Sequence, residues 1–64
     1  MTIGKQIRKY RKLKGYKLKE LSERSGLAIS SLSDIELGKT SSIKSLERIS
    51  TALGIDIDYL FKKD

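Results

Sequence analysis

The chain has 64 residues, enough for one small domain but near the lower size limit for a fold without disulfides or a structural metal. It contains no cysteine and no histidine, which excludes disulfide staples and thiolate sites and removes the commonest general base and metal ligand. Its net charge is +6, and no apolar run approaches the roughly 18 residues that a membrane-spanning helix needs, so the expected partner is a polyanion and not a bilayer interior.

The charge is unevenly placed. Residues 1–20 hold Lys5, Arg8, Lys9, Arg11, Lys12, Lys14, Lys17 and Lys19 against one acid, Glu20, a balance of +7. Residues 21–64 hold six basic and seven acidic side chains. Such a block attracts nucleic acid first and an anionic membrane surface second. The N-terminal charges have no apolar stretch behind them, which is not a secretory signal pattern, and with the lack of cysteine this fits a cytoplasmic protein. Helix formers are plentiful, proline is absent and no strand-like alternation persists. The expectation is an all-α fold with a single domain over residues 1–64.

Residues 3–14 read as the first helix, with the Thr2 hydroxyl as cap and Gly15 as stop. Ile3, Ile7, Tyr10 and the stem of Lys14 follow the 3.6 period and predict the buried stripe. Arg11 lies beside that stripe, and a charge so close to apolar packing needs a partner. Residues 18–25 predict the second helix, where Leu18, Leu21 and Ser22 share a face at spacings of three and four. Gly26 is the turn and Leu27 the plug at the corner. Residues 28–36 predict a third short helix with Leu32 and Ile35 facing inward. That leaves Ile29, Ser30, Ser33 and Asp34 outside.

Gly38 ends the third helix, and the loop Lys39-Thr40-Ser41-Ser42 follows. Residues 43–53 predict the fourth helix, capped by Ser42, with Ile43, Leu46, Ile49, Ser50 and Leu53 as its buried face. Gly54 stops it. Asp56 is expected to cap a last turn over 57–62, in which Ile57, Leu60 and Phe61 return to the core. Tyr59 is expected outside, as a solvated aromatic or as part of a dimer contact.

Leu21, Ser22, Gly26, Leu27, Leu32 and Ile35 occupy the fourth, fifth, ninth, tenth, fifteenth and eighteenth places of a two-helix motif. On these residues the stretch Leu18–Leu37 resembles the helix-turn-helix of the phage Cro/repressor (XRE) family of DNA-binding domains. Agreement extends to Ile7, Tyr10 and Arg11, to Glu36-Leu37-Gly38-Lys39, and to Ile49, Leu53-Gly54 and Leu60. The chain is also similar to the DNA-binding half of bacterial sporulation and biofilm repressors. The resemblance implies a five-helix domain with the recognition helix at residues 28–36.

The resemblance assigns base reading to Ile29, Ser30, Ser33 and Asp34, and phosphate contacts to Lys17, Lys19, Lys39, Thr40, Ser41 and Lys44, with Arg8 and Lys12 at the margin of that set. It also pairs Arg11 with Glu36 across the first and third helices. Two departures stand out. Lys17 and Leu18 replace the family's usual cap and its phosphate-binding Gln, and Ala28 stands where a capping Ser or Thr is usual. The reading face lacks Arg, Lys, Gln and Asn, the side chains that make the strongest bidentate base contacts. The implied function is sequence-specific binding of double-stranded DNA by a transcriptional regulator, a repressor acting as a homodimer on a two-fold operator. The competing reading is an antitoxin or protein-interaction module with the same fold, whose partner is a toxin or a protein antagonist. An apolar patch around Ile55 and Tyr59 would favour it. No catalytic residue, cofactor, metal or membrane is expected.

Overall fold

The first four helices each end within two residues of a glycine at positive φ. The computed structural model describes residues 3–39 and 41–61. Within them the chain forms α1 (Ile3–Leu13), α2 (Leu18–Ser25), α3 (Ile29–Glu36), α4 (Ile43–Leu53) and α5 (Asp58–Phe61). No strand occurs among the described residues. The bounds of α2 and α4 are those expected from sequence. The expected Thr2 cap and residue 62 lie outside the described residues.

α1, α3 and α4 end alike. The N–H of Tyr16 bonds back to Arg11 O, that of Lys39 to Asp34 O and that of Ile55 to Ser50 O, each at 3.0 Å. This six-to-one bond satisfies a carbonyl that the helix end would otherwise leave open. Between α2 and α3 the turn is tighter. Gly26 takes φ +76°, a left-handed conformation that a side chain would penalise. Ser22 Oγ donates to Leu27 O, and Leu27 N–H donates to Ser25 Oγ at 3.3 Å, so both serines close the corner between the helices.

Ile7, Leu21, Leu32, Ile35, Leu46, Ile49, Leu53 and Leu60 form one buried cluster. Ile3, Tyr10, Leu18, Leu27 and Ile57 pack around it. α1 packs on α3 and α5, and α2 packs on α3 and α4, so the two helices of the motif rest on different supports.

Three expectations for the buried set fail. Ile43 is 58% exposed. On a helical wheel it lies about 90° from the centre of the Leu46–Ile49–Leu53 face, at 100° per residue, off the edge of the buried stripe. Phe61 is 47% exposed. α5 is a single turn, so Leu60 and Phe61 diverge and only Leu60 reaches the core. Lys14 is exposed, outside the helix, with its ammonium near Gly54. The last turn is closed by main-chain bonds from Tyr59 N–H to Asp56 O and Leu60 N–H to Ile57 O, where the Asp56 side chain was expected to cap it.

Candidate nucleic-acid interface

The outer face of α3 is open. Ile29 is 45% exposed, Ser30 and Ser31 are exposed, and Ser33 and Asp34 are half-buried at its flank. Leu32 and Ile35 anchor the opposite face in the core. The helix is only 8 residues long and starts without a side-chain cap, since Ala28 is extended (φ −66°, ψ 147°) but offers no acceptor. Its position therefore depends on tertiary contacts and not on its own propensity.

One of these contacts is ionic. Arg11 Nε lies 2.7 Å from Glu36 Oε2, and Nη2 donates to Oε1 at 3.1 Å, a two-pronged pair. The side chains are 11% and 8% exposed. Arg11 Nη1 also donates to Tyr16 O at 2.8 Å. One guanidinium thus ties the C-terminal end of α3 to α1 and to the turn that leads into α2.

Exposed cations stand at the start of α2 and beside α3. Lys17 and Lys19, both exposed, line a shallow groove with Gly15, Glu20 and Glu23 at the start of α2. Lys17 sits in the cap position of α2 and makes no capping bond. Beside α3, Lys39, Ser41, Ser42 and Ser45 line a hollow with Ser31 and Asp34. There Ser42 Oγ accepts from Ser45 N–H at 3.2 Å and caps α4, and Lys44 is exposed in the first turn. Thr40 lies outside the described residues.

Asp34 and Lys39, expected to act separately, meet: Lys39 Nζ is 3.7 Å from Asp34 Oδ1, with both side chains at least half exposed. Such a pair contributes at most about 1 kcal/mol, so a phosphate or a base can readily redraw it. Arg8 and Lys12 are not brought to this face. Both are exposed on α1, and neither lines the groove at Lys17 and Lys19 or the hollow at Lys39.

Two supports escaped sequence reasoning. Gly4 is buried, and a Cβ there would stand 2.3 Å from Ile35 O and 2.7 Å from Glu36 O. A glycine inside a helix costs about 1 kcal/mol against alanine, which is the signal that could have revealed this close approach. Gln6 is 2% exposed and its Nε2 donates to Tyr59 O at 3.0 Å, holding α5 to α1. Nothing in the spacing marked it as buried. Tyr59 is exposed, as expected, at 38%, with its ring stacked on that of Tyr10 at a centroid distance of 6.1 Å, while Ile55 packs on the core. The apolar patch around Ile55 and Tyr59 that would favour a protein-interaction module is thus broken at Ile55.

Two short helices joined by a glycine turn, the second presented outward and braced by a third, define a helix-turn-helix unit. The chain belongs to the helix-turn-helix family, whose profile matches residues 7–60. It is 47% identical over 60 residues to the HTH-type transcriptional regulator SinR of Bacillus subtilis (strain 168), covering 91% of this chain and 54% of that protein. The chain thus spans about half the length of the curated relatives it matches. Its fold is similar to the crystal structure of SinR, the master regulator for biofilm formation, in complex with DNA (TM-score 0.88, 44% identity, 95% and 100% of the two chains). It is also similar to the restriction-modification controller protein C.AhdI from Aeromonas hydrophila (TM-score 0.89, 32% identity, 92% and 91%).

Proposed function

We propose that this chain is the double-stranded DNA-binding domain, over residues 1–64, of a transcriptional regulator that represses by occupying a two-fold operator as a dimer. One observation carries the reading: α3 presents an open outer face, braced by the nearly buried Arg11–Glu36 pair, with Lys39 against Asp34 at its flank. That SinR, 44% identical in the matched structure, was solved with DNA supports a duplex as the ligand.

In this reading Ile29 meets a thymine methyl, Ser30 and Ser33 bond to base edges or phosphates, and Asp34 accepts from a cytosine amine. Lys17 and Lys19 hold one stretch of backbone, and Lys39, Thr40, Ser41 and Lys44 hold another. Few polar side chains reach the bases, so direct discrimination is modest, and duplex shape and half-site spacing supply the rest. A protein antagonist would act by covering this face or by parting the dimer. No catalysis and a cytoplasmic location go with the reading.

Selection from a random duplex pool tests it. The expected result is a consensus with two-fold symmetry. A consensus without symmetry would remove the dimer, and no enrichment at all would remove sequence-specific binding.

A further inference from the structure

We infer that α1 carries a second polyanion-binding surface, which takes the phosphate backbone of a second DNA duplex while α3 occupies the first. The inference rests on the reading of α3 given above.

α1 divides its circumference among its neighbours and solvent. Gly4 and Arg11 meet α3, the first at its carbonyls and the second at Glu36. Gln6 and Tyr10 meet α5 at Tyr59. Lys5, Arg8, Lys9 and Lys12 fill the remaining third, and all four are exposed. At 100° per residue, the centre of this cationic arc lies roughly 100° or more from the contact with α3 and from the contact with α5. α1 contains no acidic residue at all. Lys9 lies over the Tyr10 ring at 5.5 Å from its centroid, which orients the ammonium without neutralising it.

A duplex seated on Ser30 and Ser33 lies on the side of α3 opposite to the core. α1 supports α3 from the core side and turns its cations outward. The centre of the arc is turned roughly 100° from the contact with α3, toward the side of the body and away from the middle of the reading face. The arc also suits some polyanions better than others. A helix that lies in a membrane surface needs a broad apolar strip beside its cations. Here the only well-exposed apolar side chain of α1 is Leu13, at the edge of the arc. Three exposed cations, Arg8, Lys9 and Lys12, match the sequence-independent demand of a phosphate backbone. The consequence is a domain that reads one duplex and tethers another.

The test is a capture assay. A duplex carrying the selected consensus is immobilised, the protein is bound to it, and a labelled duplex lacking the consensus is added at about 50 mM salt. The parent chain is expected to capture the second duplex. The combined Arg8→Gln, Lys9→Gln and Lys12→Gln variant should capture at least tenfold less. Its affinity for the immobilised duplex should stay within about twofold at 150 mM salt, where charges beyond about 8 Å are screened. Four results would overturn the inference: a parent that binds the first duplex and captures no second; a variant that bridges as well as the parent, which assigns bridging to paired α3 faces; a variant that loses first-duplex affinity in parallel, which places α1 in the primary interface; and capture competed away by anionic lipid vesicles better than by duplex. A parent that binds neither duplex refutes the α3 reading as well, which separates the two failures.

Discussion

Arg11 and Glu36 show how little a buried ion pair needs to contribute on balance for its loss to matter. Desolvation offsets most of the attraction, so an apolar pair of similar volume is expected to be about as stable. Removing one partner strands the other. Arg11→Ala or Glu36→Ala is expected to cost about 3–5 kcal/mol, since both side chains are nearly buried, while the double replacement Arg11→Met with Glu36→Leu should recover most of that loss. Urea titration of the three variants checks this, and single variants as stable as the parent would make the pair a surface contact. Asp34 is a different case, because its partner Lys39 is well exposed. As a base reader, Asp34→Ala should relax preference at one base pair by about 1–3 kcal/mol. If affinity instead rises equally for every sequence, Asp34 acts only by repelling phosphate.

The helices differ in how much they owe to their own ends. α4 has a serine cap whose Oγ accepts a main-chain bond, and Ser42→Ala is expected to cost about 1 kcal/mol. α3 has the extended backbone of a cap at Ala28 and no side chain to use it. Ala28→Ser should therefore raise stability by about 0.5–2 kcal/mol, read as a higher midpoint in thermal unfolding. A lower midpoint would show that the position is constrained by packing. The same helix is positioned from behind by Gly4. Gly4→Ala places a methyl against two backbone carbonyls that cannot rotate away, so α1 and α3 must part. The expected cost is about 1–3 kcal/mol, with specific DNA affinity falling more than non-specific affinity, because the reading face shifts while the lysines remain. Equal losses for both would assign Gly4 to stability alone.

The molecule as a whole is a small body with its net charge loaded at one end of the sequence, and its DNA affinity should depend steeply on salt. Lys17, Lys19, Lys39 and Lys44 neutralise about four phosphates in the proposed complex, which gives a slope of log K against log salt near −3.6 per chain. A slope shallower than about −2 in a fluorescence titration would remove phosphate contacts as the main source of affinity. Lys39→Ala should weaken specific and non-specific duplexes alike and flatten the slope by about one unit.

The helix count, the bounds of α2 and α4, the glycine turn and the inward-facing leucines and isoleucines were all legible in the residues. Stop signals and the 3.6 period act over one or two turns, and a sequence displays them directly. The open set on α3 followed from the same periodicity, by subtraction. Other features depend on which helix lies against which. The burial of Gln6, the approach of Gly4 to the α3 carbonyls, the meeting of Asp34 with Lys39 and the exposure of Ile43 and Phe61 are of this kind. So is the separation of the α1 cations from the α3 face, for charge in a sequence has position along the chain but no direction in space. Periodicity tells which side of a helix is apolar, and only packing tells what stands opposite the rest.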